Sequence, residues 1–177
     1  MSLTLHLGVL VQPYRFAGPL KGFRGTKALR ARNGGNHSAL TTGDVAQILE
    51  ARYGVMEAFY KAHEQQIAGF IEGSLDTALQ SLLMGRAVDP WGRATQQIET
   101  AFRDFIATKE AERVGIAGTP TKAALRGVNH RLLHPYAGRN PRRPSFRDTG
   151  LYMASFKSWV STAQTTTSMS SANQFVS

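Results

Sequence analysis

The stretch TTGDVAQILEARYGVMEAFYKAHEQQIAGFIEGSLDTALQSLLMG, residues 41–85, decides what kind of molecule this is. Apolar side chains recur at Val45, Ile48, Leu49, Met56, Phe59, Ile67, Phe70, Ile71, Leu75, Leu79, Leu82 and Leu83, mostly in steps of three, four or seven. That is the period of an amphipathic helix. Thr41, Thr42 and Asp44 offer side-chain oxygens for the free N–H groups of a helix start. Gly54 divides the run into a short piece and a long one, and Gly85 is well placed to stop it. Roughly thirty residues of helix span about 45 Å. A rod of that length outruns the core of a small domain, so part of it is expected to face a neighbour.

Upstream, Leu3, Leu5, Leu7, Val9 and Val11 alternate with Thr4, His6, Gly8 and Leu10, the pattern of a half-buried strand that Pro13 ends. Residues 13–43 show neither period; glycines and prolines are interleaved there with Arg15, Lys21, Arg24, Lys27, Arg30 and Arg32. So long an irregular connection is uncommon inside a compact domain. Ordering it costs about 1–2 kcal/mol per residue, and a neighbouring copy is the expected source of compensating contacts.

Downstream, a turn at Asp89-Pro90-Trp91-Gly92 precedes a second helix marked by Ile98, Phe102, Phe105 and Ile106, expected to end near residues 113–115. Thr119-Pro120 has the form of an N-cap followed by proline at the first helical position, opening a short helix that Gly127 closes. Residues 128–147 are basic and proline-rich; beyond them Asp148 or Thr149 is expected to cap one helical turn. Phe156, Trp159 and Val160 suggest a strand or a packed terminus, and the Ser/Thr-rich composition of 161–177 predicts disorder. The expected fold class is α+β: long amphipathic helices with a small β-sheet, an extended basic N-terminal arm and a polar C-terminal tail. Its segments are a strand (1–12), the arm (13–43), a helical body (44–127), a basic element containing Asp-Thr-Gly (128–160) and the tail (161–177).

At 177 residues and 42% apolar, the chain suits one domain with a modest core. It has no cysteine, which excludes disulfides, thiolate metal sites and a cysteine nucleophile together. Residues 1–11 are apolar but lack the basic start and small-residue cleavage site of a signal peptide. No run approaches the roughly 20 apolar residues that span a bilayer, so a soluble protein made in the cytoplasm, with no membrane partner, is expected.

Charge is segregated along the chain. Residues 1–43 hold six bases and no acid; 44–112 hold eleven acids against six bases; 113–177 hold nine bases against the single Asp148. Basic ends and an acidic middle make the chain complementary to its own copies, and opposite fields steer association and fix register. The same pattern also fits basic segments that fold back on the chain's own acidic helices.

Several constellations invite chemistry and fall short of it. Asp148-Thr149-Gly150 matches the aspartic-protease triplet, but Arg147 beside the acid favours its ionised form. Only 27 residues follow, too few for a flap and a second sheet, so structural capping is expected for all three residues. His130 and His134 have helical spacing, but no third metal ligand stands nearby and Pro135 interrupts them; His63-Glu64 lacks the second histidine of a zincin. The GIAGTPTK run, 115–122, lacks the ending of a phosphate loop. No catalytic, metal or cofactor site is expected. The basic residues with Tyr136, Phe146 and Tyr152 would suit nonspecific nucleic-acid contact, although arginines bind a neighbour's carboxylates as readily as phosphates.

The run RPSFRDTGLYMASFKSWV, 143–160, resembles a motif near the C-terminus of virion proteins of tailed bacteriophages and prophages. TTGDVAQILEARYGVM, 41–56, is similar to their long-helix opening, and GVLVQPYR, 8–15, to their start; together these cover about a third of the chain. The class it looks most like is the neck or tail-completion group, proteins that close the head or cap the tail tube. The resemblance implies an α+β subunit in a homo-oligomeric ring at the head–tail junction, localised to the virion. Its implied partners are its own copies, a portal or connector, and a tail terminator or tail tube; it carries over no catalytic residues. The long basic arm and the polar tail depart from that pattern. Arg15, Lys21, Arg24, Lys27, Arg30, Arg32, Arg139, Arg142, Arg143 and Arg147 are the expected contacts to neighbouring subunits or to DNA in the channel. The alternative is a nonspecific DNA-binding or packing protein using the same bases.

Overall fold

Strand β1 (Leu3–Val9) and strand β2 (Phe156–Thr162) bring the two ends of the fold together as an antiparallel pair, with Leu3 opposite Thr162 and Val9 opposite Phe156. The computed structural model of the chain describes residues 3–13, 40–129 and 132–162. Between the strands lie helices α1 (Thr42–Tyr53), α2 (Val55–Leu83), α3 (Gly92–Ala107), α4 (Glu110–Arg113), α5 (Lys122–Leu125) and α6 (Leu151–Ser155). The fold is α+β: a helical body on a two-stranded sheet.

Local chemistry sets the boundaries. Thr41 caps α1 in a capping box: its hydroxyl accepts from the Asp44 N–H at 3.1 Å, and the Asp44 carboxylate accepts from the Thr41 N–H at 3.0 Å. Gly54 breaks the rod with left-handed φ 58°, a conformation glycine adopts without penalty. The Glu50 carboxylate bridges that break, accepting from the N–H groups of Met56 and Glu57. α2 then runs unbroken for 29 residues.

Three boundaries differ from the sequence-based expectation. The second helix stops at Ala107, because Lys109 takes φ 63°, and resumes as α4. The cap of α5 is Thr121, whose hydroxyl accepts from the Ala124 N–H at 3.2 Å; Thr119 and Pro120 lie before the helix. A hydroxyl aimed at the third residue of the turn outranks the Thr-Pro pattern. β2 also extends to Thr162, two residues into the segment assigned to the tail.

The core is aromatic and lies where the first half of α2 meets α3 and the sheet. Phe59, Phe102, Phe105, Phe156, Ile98, Ile106, Val9 and Val55 have no exposed surface. Phe102 stacks on Phe156 with centroids 3.8 Å apart, while Phe59 meets Phe102 edge-on at 5.2 Å. Burying each such side chain stabilises by about 1.5–3 kcal/mol. α2 and α3 are antiparallel. Ser74 of α2 donates to the Pro90 carbonyl just before α3 begins, and His63, earlier in α2, lies 3.4 Å from Glu110 just after α3 ends.

Thr42 gathers the segments flanking residues 14–39. Its hydroxyl donates to the Leu10 carbonyl at 2.5 Å and accepts from the Gln12 N–H at 2.8 Å, and its own N–H donates to the Gln12 carbonyl at 2.9 Å. Pro13 and Thr41 form a β-bridge beside it. Pro13 and Thr41, the residues on either side of this stretch, therefore lie side by side.

Candidate subunit interface

The antiparallel pairing of α2 and α3 gives the body two ends, and each presents apolar side chains to solvent. At the first end, the tip, α2 runs past its last buried residue, Ser74. Leu79, Leu82, Leu83 and Met84 are 59%, 64%, 89% and 75% exposed, and Val88 of the following connection is 47% exposed. Residues 86–90 fold back beside the helix, leaving a groove of about 270 Å³ between Leu75, Leu79 and Leu82 on one side and Arg86, Val88 and Pro90 on the other. A groove of that size is below the usual range for a small-molecule site and accommodates aliphatic or aromatic side chains.

The second end is the segment after α5. Leu133 is 90% exposed, Tyr136 74% and Leu132 41%. A set of backbone pins holds this loop in shape. The Asn129 N–H donates to the Pro135 carbonyl at 3.1 Å, and the Asn140 side-chain amide donates to the carbonyls of His134 and Pro135. Gly127 cannot be replaced there: a Cβ would lie 2.4 Å from the Asn140 carbonyl oxygen. The loop belongs to the far end of the body because its continuation is anchored on α4. Glu112 accepts from the Ser145 N–H at 2.9 Å, from the Ser145 hydroxyl at 2.8 Å and from the Arg142 guanidinium.

That anchor is a buried carboxylate, with the Glu112 side chain only 7% exposed. Burial pushes its carboxyl up, but the Ser145 hydroxyl and N–H and the Arg142 charge outweigh it and hold it below the ordinary carboxylate value. A second such group, Glu99 on α3, pairs with Arg103 at 3.1 Å and with Lys157 of β2 at 2.8 Å, fastening the sheet to the body.

The basic residues singled out from sequence therefore divide. Arg15, Lys21, Arg24, Lys27, Arg30 and Arg32 lie outside the described residues, as do His130 and residues 163–177. Arg142 is paired with Glu112 of its own chain, and Arg143 donates to the carbonyls of Val128, Pro144 and Arg147. Burial pulls the Arg143 guanidinium down, and Asp148 opposes the shift. Arg142 and Arg143 thus have partners within their own chain, as basic residues folded back on the chain's own groups, and the Arg142 side chain is still 45% exposed. Arg139 and Arg147 are exposed.

The Asp-Thr-Gly triplet sits at the start of α6. The capping position belongs to Gly150, at φ 83°, and the Thr149 hydroxyl accepts from the Leu151 N–H at 3.2 Å from one residue earlier. Asp148 does not cap the helix; it faces the Arg143 charge. His63 packs between Phe59 and Phe105, with Nδ1 2.6 Å from the Gln66 amide oxygen. Among the described residues no cluster of three or more histidines and carboxylates is placed to hold a metal, and no helix is long and apolar enough to cross a membrane.

Sequence reasoning missed Glu112, Ser145 and the apolar loop. Glu112 looks like any other acid on a helix, and its partner is 33 residues away. No protein-family model, curated protein or solved structure matches the chain.

Proposed function

We propose that the chain is a structural subunit of a tailed-bacteriophage particle, of the neck or tail-completion kind, working by head-to-tail assembly of its own copies into a ring at the head–tail junction. The observation that carries this reading is the pair of exposed apolar surfaces at opposite ends of the antiparallel α2–α3 body: Leu79, Leu82, Leu83 and Met84 at one, Leu133 and Tyr136 at the other. Contiguous apolar patches of this kind mark interaction surfaces. Two unlike patches at opposite ends suit a heterologous contact, which closes into a ring when the rotation between copies allows. The likeness of residues 143–160 to a phage virion motif supplies the setting. In the fold those residues form the Arg143 pins, α6 and most of β2, so the motif builds the wedge that joins the sheet to the body.

The test is the native mass of the purified chain over a wide concentration range, with negative-stain images of any assembly. Rings of one defined size are expected. A monomer at every concentration up to the millimolar range overturns the reading.

The second reading, a nonspecific DNA-packing protein, draws on the six bases of 13–43 together with exposed Arg139 and Arg147. It requires duplex binding that falls steeply with salt, since each phosphate contact releases counterions. A flat response removes it.

A further inference from the structure

We infer that the outer edge of β1 is a docking edge for a second copy of this chain. Leu3–Leu7 of the two copies pair antiparallel about a two-fold axis at Leu5, joining two two-stranded sheets into one of four strands. The contact is separate from the head-to-tail one proposed above and does not require it.

Main-chain hydrogen bonding selects the occupant. The Leu10 N–H donates to the Ser155 carbonyl at 2.8 Å and continues the register of β1 and β2. In an antiparallel pair, residues bonded in this way alternate with residues whose N–H and C=O point away. Thr4, His6 and Gly8 therefore aim their main chain at β2, while Leu3, Leu5 and Leu7 aim theirs outward. Those outward groups have no hydrogen-bond partner among the described residues.

The other edge of the sheet is bordered by α3. Ser158, on the core face of β2, donates to the Thr95 carbonyl at 3.1 Å, and Lys157, on the opposite face, reaches Glu99 at 2.8 Å. At the inner end of β1, Val9 is fully buried, whereas Leu3 is 53% exposed and Leu5 and Leu7 are half-buried. The open stretch is thus Leu3–Leu7. A strand edge is satisfied by another strand edge, and the open one that a copy of this chain offers is β1 itself.

The sequence of β1 suits pairing with itself. Free edges are ordinarily guarded by lysine, proline or a bulge. Leu3–Val9 has no Lys, Arg, Asp, Glu or Pro, and its register is unbroken. With the axis at Leu5, Leu3 faces the partner's Leu7 and each outward N–H meets an outward carbonyl. Leucine then lies against leucine on the face that packs on the core, which extends that face and covers part of Leu3. Thr4 meets the partner's His6, so no like charges are opposed. Two strands are also fewer than the three or more that give a sheet independent stability.

The chain has no cysteine, so a single introduced thiol reports the register. Directly opposed residues of such a pair lie about 5.5 Å apart at Cα, within disulfide reach, whereas Leu3 and the partner's Leu3 would lie roughly 14 Å apart. Under mild oxidation of the full chain, Leu5→Cys is expected to give a covalent dimer and Leu3→Cys none. A mixture of Leu3→Cys with Leu7→Cys is expected to give a mixed dimer. Leu5→Pro removes an outward N–H, leaves the β1–β2 ladder intact and is expected to weaken dimerisation at least about tenfold by sedimentation equilibrium. Leu3→Lys, at an exposed position that spares the fold, is expected to weaken it in the same direction.

Crosslinking of Leu3→Cys as readily as Leu5→Cys would mean random collision and overturns the pairing. So does a Leu5→Cys chain that gives no dimer up to millimolar concentration, whether the chain's own residues or a strand of another protein take the edge. Dimerisation unchanged in both Leu5→Pro and Leu3→Lys overturns it as well. Rings without the Leu5→Cys crosslink sink this inference and leave the assembly reading standing; the crosslink without rings does the reverse.

Discussion

The two halves of α2 are one continuous helix with one apolar period, yet they live in different surroundings. In the first half Phe59 has no exposed surface and touches Phe102, Phe105 and Phe156. In the second half Leu83 is 89% exposed. The difference lies in what stands opposite. α3 has only 16 residues against 29, and the connection at Pro90 turns away level with Ser74. A hydrophobic period names the face of a helix that seeks cover; the length of its partner decides where cover ends.

The largest expected effect breaks this comparison at the buried half. Phe59→Ala removes the ring at the centre of the aromatic cluster and is expected to cost about 3–5 kcal/mol, measured by urea unfolding. Leu82→Ala, on the same helix, is expected to change stability by no more than about 0.5 kcal/mol. Equal losses at the two positions would show that the tip is covered within the subunit.

Next in size is Glu112, whose burial contrasts with the exposed carboxylates of α2. Glu112→Gln keeps the shape but removes the charge that Ser145 and Arg142 satisfy, and is expected to cost about 1–3 kcal/mol. The pH dependence follows from the same contacts. The folded-state value is lowered from an ordinary value of 4.5. The stabilisation is thus complete above the unfolded-state value and drains away as pH falls through the folded one. Thermal midpoints of wild type should drop more steeply below about pH 4.5 than those of the Gln variant. Parallel curves would mean that Glu112 is not the acid-sensitive anchor. Glu57 is also lowered, by its hydrogen bond and charge contact with Lys61, but it is exposed and adds little to this dependence.

Much of this architecture was legible because it is written in local patterns. The alternation from Leu3 predicts β1, the Thr41–Asp44 box predicts the start of α1, and Gly54 and Gly85 mark the ends of α2, all within a residue or two. Lys109 was opaque, since nothing in its neighbours announces a lysine at φ 63°. The Arg142 and Arg143 pins were opaque for another reason. A guanidinium satisfied by Glu112 or by three backbone carbonyls has the same letter as one aimed at a phosphate. Of the candidate interface, the surplus apolar length of α2 could be read in advance, whereas the exposure of Leu133 could not, because a lone Leu132-Leu133 pair has no period.

The smallest effect on the fold is expected around Thr42, and it contrasts a buried pin with the sequence between Pro13 and Thr41. Thr42→Val keeps the shape of a fully buried side chain but strips the Leu10 carbonyl and the Gln12 N–H of their partner, at about 1–2 kcal/mol. Shortening the sequence between the pins is expected to matter less to folding. Closure entropy grows only by about 0.6 kcal/mol per doubling of length, so replacing residues 14–39 with about eight Gly/Ser residues should shift stability by roughly 1 kcal/mol, in the favourable direction. The pins at Pro13 and Thr41 would remain in place. Removing six bases at once should act on assembly instead, since the opposite fields of the acidic middle and basic ends would lose one partner. A shortened chain that folds normally and yields fewer or weaker rings at physiological salt is the expected result. A shortened chain that fails to fold would show that residues 14–39 belong to their own subunit's core and serve no neighbour.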